Sequence, residues 1–299
     1  MLSPTLAIAA LAIAAGAAAA DAGDAAYRKQ IEDWREHRVE RLKGPTGWLS
    51  LVGLDWLKEG RNTLGSAPDN SIVLGQWPAH LGMITLENGK ATIAVDASAA
   101  GVLIDGANKP SAELLDDTTP KPTVVANGTV MFYVVKRGDR WALRIKDSEA
   151  KTRKDFVGID YFDIDPSWRI VAKWEAYDPP REVEEPNILG EIDKVVVPGA
   201  AVFERNGKSY RVEPVIETPG DTELYLVFGD RTNGKETYGA ARFVYSEPPK
   251  DGKIVIDFNK AYSPPCAFTP YATCGLPTQQ NRLDLRITAG EKKYRGGYE

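Results

Sequence analysis

The stretch Thr123-Val-Val-Ala-Asn-Gly-Thr-Val-Met-Phe-Tyr-Val-Val135 sets an Asn-Gly pair between two runs of β-branched and aromatic residues. Asn-Gly accepts positive φ at both central positions of a type I′ turn, so a strand, a tight turn and a returning strand are predicted here. The same signal recurs at Asn88-Gly89, between Met83-Ile-Thr-Leu86 and Ala91-Thr-Ile-Ala-Val95. It recurs again at Asn206-Gly207, between Ala201-Val-Phe203 and Tyr210-Arg-Val212, and a fourth pair, Asn233-Gly234, lies in a polar run. Further strands are predicted at 169–174, 194–197, 223–228, 242–245, 253–258 and 283–287. No long helical period interrupts them, so the chain reads as mainly β and mostly antiparallel.

One segment has a clear helical period. Within Ala25–Lys43, Tyr27, Ile31, Trp34 and Leu42 fall on one face, and Gly44-Pro45 stops the helix. His37 beside that face reads as a helix-surface residue. A short apolar segment, Trp48–Leu57, follows, and the charged stretch Asp147–Asp155 marks the best boundary. The expected organisation is a signal peptide at 1–20, a helical arm at 21–57, a β-sandwich at 58–148 and a C-terminal antiparallel β domain, barrel or sandwich, at 149–299.

Residues 1–20 carry no charged side chain and end in Ala18-Ala19-Ala20 before Asp21. They read as an export signal cleaved near Ala20, which leaves no stable membrane anchor and places the protein in the periplasm or outside the cell. The alternative is an N-terminal anchor, for which the run is barely long enough. The net charge of -5 and the lack of a basic cluster argue against nucleic acid as a partner, because counterion release needs a basic face. Cys266 and Cys274 are the only cysteines, eight positions apart and set between turn-forming prolines. In an oxidising compartment they read as a short-loop disulfide, which contributes about 2–3 kcal/mol in the chain-entropy account. Two buried thiols are the alternative.

With only His37 and His80, no histidine-based metal cluster and no Ser-His-Asp triad can be assembled. No Gly-x-Ser-x-Gly, Walker loop or Rossmann fingerprint occurs, and no cofactor is expected. The neighbours Glu184 and Glu185 face opposite sides of an extended strand, so they make a poor catalytic carboxylate pair.

Two resemblances to known families add to this. Gly60-Arg-Asn-Thr-Leu-Gly65, Asp69-Asn-Ser-Ile-Val-Leu74, Ala79-His80 and Asp105-Gly106 resemble the turns and strands of a forkhead-associated β-sandwich. At the phosphate-gripping positions stand Ser66, Trp77 and Asp105, so the resemblance implies the architecture without phosphothreonine recognition, and His80 becomes a corner-bracing residue. A longer resemblance is carried by Trp48-Leu-Ser-Leu-Val-Gly-Leu-Asp-Trp-Leu-Lys-Glu-Gly60, Gly234-Lys-Glu-Thr-Tyr-Gly239, Asp257-Phe-Asn-Lys-Ala-Tyr-Ser-Pro-Pro-Cys266 and Asn281-Arg-Leu283. These resemble the bacterial and archaeal family catalogued as domain of unknown function number 1684. That resemblance implies relatives but no activity.

Two polar runs, 229–242 and 257–274, are the candidate site. Arg231, Lys235 and Arg242 suit a carboxylate or phosphate, Asp257 and Asn259 share one strand face, and Tyr238 and Tyr262 can stack on or bond a ring. The bland alternative is a solvated hairpin tip at Lys235, a partly buried Arg242–Asp257 pair and a corner tyrosine at Tyr262. The functional expectation is an exported protein that binds a small anionic ligand or an envelope protein through its C-terminal domain. The alternative is a hydrolase or lyase that uses Asp257 or Tyr238 as acid/base, with Arg231 or Arg242 holding the substrate.

Overall fold

The computed structural model describes residues 5–218 and 220–297, and for residues 5–22 the backbone alone. The apolar run read as an export signal therefore lies outside the residues whose side chains are described. Among the described residues no helix is long and apolar enough to cross a membrane.

Helix α1 (Thr5–Lys43) contains the predicted amphipathic segment. Ile31 and Leu42 of its apolar face are fully buried. His37 stays exposed, with Nδ1 2.7 Å from the Asp33 carbonyl, as expected of a helix-surface residue.

The first β unit is a sandwich. One sheet holds β1 (Leu51–Trp56), β6 (Leu103–Ile104), β8 (Val125–Asn127), β9 (Val130–Arg137) and β10 (Arg140–Asp147), in the order β1-β10-β9-β8-β6. The facing sheet holds β2 (Gly60–Gly65), β3 (Ile72–Val73), β4 (Gly82–Glu87), β5 (Lys90–Val95) and β7 (Ser111–Glu113), in the order β3-β2-β4-β5-β7. Leu64, Ile84, Ile93, Phe132 and Leu143 fill the space between them. The Asn-Gly hairpins form where the sequence puts them, at β4–β5 and β8–β9, and Asn88 takes the positive φ of 51° that the turn requires. Strand β1 falls in the segment read as a helical arm, yet it pairs along β10 from Leu51↔Lys146 to Trp56↔Ala142, so the sandwich begins at residue 51. Trp77 packs in the core, 5.1 Å from Phe132. Asn70, rather than His80, braces the corner. Its Nδ2 donates to the carbonyls of Ala67 and Ala79, both at 2.9 Å, while His80 is exposed.

A short helix, α2 (Lys151–Lys154), lies in the predicted boundary and leads to the second unit. There β11 (Arg169–Pro186), β12 (Ile192–Arg205), β13 (Lys208–Val212) and β16 (Lys253–Asp257) form a sheet in the order β13-β12-β11-β16. β14 (Leu224–Phe228) and β15 (Arg242–Ser246) form a two-stranded ribbon. Strands β11 and β12 run well past the predicted 169–174 and 194–197. Beyond a register shift between Ala176 and Arg181 they continue as a two-stranded arm. The core gathers Trp168, Phe203, Leu226, Phe228, Ile254, Ile256 and Phe258.

The segment 283–287, predicted as a strand, is irregular. Leu283, Leu285 and Ile287 alternate inward as a strand would, which explains the prediction. Their backbone is bonded elsewhere. Arg242, with no exposed surface, donates to the carbonyls of Ile287 (3.0 Å) and Ala289 (2.6 Å) and to Asp230 Oδ2 (3.0 Å). Asp230 in turn accepts the Ile287 N–H at 2.7 Å. Arg242 is thus a structural ion-pair residue, and its partner is Asp230 rather than Asp257. Arg242→Met should cost about 3–5 kcal/mol in urea unfolding, because Asp230 is left charged and unpaired in the core.

Candidate functional site

A cleft of about 1500 Å³ opens between the sandwich, helix α1 and the β11–β12 arm. Strand alternation builds two of its walls. On β10, Leu143 and Ile145 point into the sandwich core, so Arg144 and Lys146 point the other way, into the cleft. On the arm, Glu185 faces the cleft and Glu184 faces solvent, as alternation requires of adjacent residues. The floor is aromatic. Tyr225 lies 4.8 Å from Tyr245 and 5.1 Å from Phe243, and Tyr262 stacks on Tyr245 at 6.4 Å. Burial pushes the hydroxyls of Tyr225, Tyr245 and Tyr262 up, so they remain neutral hydrogen-bond donors, and Tyr245 gives its hydrogen to Glu217.

The sandwich wall is a cationic pole. Arg144 is 5% exposed, and among the described residues its Nη2 meets only Thr273 Oγ1, at 3.4 Å, and its Nε has no partner. Its guanidinium lies 5.2 Å from the centre of the Trp48 ring. Lys146 donates to the Thr46 carbonyl at 2.5 Å, and burial, aided by the Arg144 charge, pushes its amine down to about 8. Arg137 nearby is different, since it pairs with Asp117 at 2.9 Å and donates to Thr273 at 2.9 Å.

The arm is an acidic pole. Glu185 is 8% exposed and stands opposite Asp193 in register. Burial first, then the charges of Asp193 and Glu217, push its carboxyl up to about 7. Gly275 leaves room for it, because a Cβ at that position would sit 2.5 Å from Glu185 Oε2.

The cysteine segment joins the poles. Thr273 meets the sandwich arginines, Gly275 bridges to Asn187, and Ile188 N–H donates to the Cys274 carbonyl at 2.9 Å. Cys266 N–H donates to Cys274 Sγ at 3.2 Å, so the two buried sulfur residues are neighbours, and no disulfide joins them.

Of the residues picked from sequence, Tyr262, Asp257 and Cys274 line the cleft. Asp257 is already engaged. Its carboxylate accepts the Tyr27 hydroxyl, at 2.8 and 3.0 Å, and the Asn259 N–H at 3.1 Å. Asn259 is buried and donates to the Tyr27 hydroxyl and the Asp165 carbonyl. Tyr238 donates to the Cys266 carbonyl at 3.1 Å. Arg231 is exposed and paired with Asp284, and Lys235 is exposed. The two polar runs touch where Tyr238 meets Cys266, while Arg231, Lys235 and Arg242 do not line the cleft. Sequence reasoning passed over Arg144, Lys146, Glu185, Asp193, Glu217, Tyr245 and Trp48 as site residues. The available signal was the Arg-x-Lys alternation in β10, which also describes any solvated strand face.

The Glu185 shift has a signed consequence. The carboxyl binds its proton more tightly folded than unfolded, so stability falls as pH rises from about 4.5 to about 7 and is level above. Glu185→Gln should match the wild type at pH 4 and exceed it by ~1–3 kcal/mol at pH 8, measured by denaturant unfolding at both pH values.

The family model described as "Protein of unknown function (DUF1684)" matches residues 154–292. The solution NMR structure of an uncharacterized protein of Haloarcula marismortui is 31% identical, with 47% of this chain and 78% of that chain covered and a TM-score of 0.40. A search of curated proteins finds no match.

Proposed function

The chain belongs to this family of unknown function, and we propose that it binds a small anionic molecule in the cleft between the sandwich and the C-terminal domain. Arg144 carries the reading. A buried guanidinium that lacks a counter-ion among the described residues is costly to fold around, and Lys146 beside it adds a second cation on the same strand face. A ligand carboxylate or phosphate repays that cost through the planar fork of the guanidinium. Trp48 and the tyrosine floor then receive the apolar body of the ligand. The anion grip expected at Arg231, Lys235 and Arg242 moves to residues of β10. Should the bound molecule also be turned over, Glu185 is the acid/base in reach, because Asp257 is engaged by Tyr27 and Asn259.

The test is a thermal-shift and calorimetric titration with orthophosphate, carboxylates and nucleotides. Arg144→Met should abolish binding and raise the stability of the unliganded protein by ~1–3 kcal/mol, since it removes an uncompensated charge. Lower stability with unchanged binding would falsify the reading. Affinity should also fall as pH rises through about 8, where Lys146 loses its proton.

The binder works in the cell envelope, exported by the 1–20 signal, and there the neighbouring Cys266 and Cys274 oxidise to a disulfide. The proximity of the two sulfur residues supports this. Intact mass of the protein recovered from the envelope, without reductant, should show a chain that starts at Asp21 and lacks both thiol hydrogens. A full-length mass or two alkylatable thiols counts against export or against the bond, respectively.

A further inference from the structure

We propose that the ligand is a zwitterion, specifically a short peptide with both termini unblocked, whose carboxylate sits on Arg144 and Lys146 and whose ammonium sits on Glu185. The inference rests on the anion-binding reading and extends it to the opposite wall of the cleft.

Two charged side chains of opposite sign, each more than nine-tenths buried, face the same cleft. Arg144 has a donor with no partner, and no hydrogen-bond donor reaches the Glu185 carboxyl among the described residues. They do not pair with each other. The groups around each pole are of like sign. Lys146 adjoins Arg144 on β10, while Asp193 of β12 and Glu217 before β14 bear on Glu185. Each pole therefore concentrates one sign of charge where burial already makes that charge costly. An occupant with a matching charge at each end neutralises both poles at once.

The spacing suits a small molecule. Thr273 touches Arg144 and Gly275 abuts Glu185. Residues two apart along a chain lie at most about 7 Å apart. The poles thus stand one to a few peptide units from each other, across the floor of Tyr225, Phe243, Tyr245 and Tyr262. That floor takes an apolar or aromatic side chain. Polyanions such as nucleotides fit poorly, because Glu185, Asp193 and Glu217 repel any second negative group. A monoanion without an amine leaves the acidic pole unanswered.

Isothermal titration of the full chain with Ala-Phe, Ala-Phe-Ala, and their N-acetyl and C-amide forms tests this. The unblocked peptides should bind, and either block should weaken binding about 10–100-fold, the range for losing a buried charge-assisted contact. Glu185→Gln should weaken the unblocked peptide to the level of the acetylated one and leave the acetylated one unchanged, as a double-mutant cycle on one contact requires. Equal affinity for acetylated and unblocked peptide overturns the zwitterion inference and leaves the anion site standing. Binding of orthophosphate or a simple carboxylate without binding of any peptide does the same. No binding of any peptide or simple anion, or binding untouched by Arg144→Met, overturns the anion site as well.

Discussion

Arg38 reaches from helix α1 into the C-terminal unit, where its Nε donates to Glu291 Oε1 at 2.9 Å and its Nη2 to the Ser263 carbonyl at 2.9 Å. Glu291 Oε2 accepts the Ser263 N–H at 2.7 Å, and the Arg38 guanidinium lies 4.6 Å from the centre of the Tyr262 ring. Both charges are almost fully buried, so each depends on the other for its solvation. One ion pair thus ties the helix, the start of the cysteine segment and the C-terminal tail. Leu42, Leu49, Ala267 and Phe268 close an apolar cluster beside it. Together with the Tyr27–Asp257 hydrogen bond, that clamp keeps Trp34 of the helix beside Tyr262 at one side of the cleft.

The cleft belongs to no single element. β10 supplies the cations because its other face is committed to the sandwich core. The β11–β12 arm supplies Glu185 and Asp193 where it runs past the sheet, on the face whose Val183, Val195 and Val197 pack against the apolar cluster around Tyr225. The 272–275 segment passes between them, held by Arg137 on one side and by Asn187 and Ile188 on the other. The contrast between two buried arginines shows how the protein distributes charge. Arg242 has a carboxylate and two carbonyls and stabilises the core. Each has an idle Nε, but Arg144 has one long contact to a hydroxyl and, among the described residues, no counter-ion. Burial is similar in the two cases, and the presence of a counter-ion separates them.

Local chemistry made much of the fold legible. The hairpins at Asn88-Gly89, Asn127-Gly128 and Asn206-Gly207 form because the turn needs only those two residues and their flanks. The helix face of Ile31 and Leu42 is buried as its period implies. The 283–287 segment shows where the same reasoning stops. Its alternation is real, but its backbone partners are set by Arg242 and Asp230, which lie about fifty residues upstream.

The sequence by itself determined the mainly antiparallel architecture, the amphipathic helix and the family, because turn chemistry, side-chain period and long motifs are local properties. It also marked the cysteine segment as special. Only the tertiary structure decided that this segment walls a cleft and that Asp257 serves the helix through Tyr27. It also decided that, among the described residues, Arg144 is buried with no counter-ion and Glu185 with no hydrogen-bond donor. Whether a charge is satisfied depends on residues brought from far along the chain, and no window of sequence contains that information.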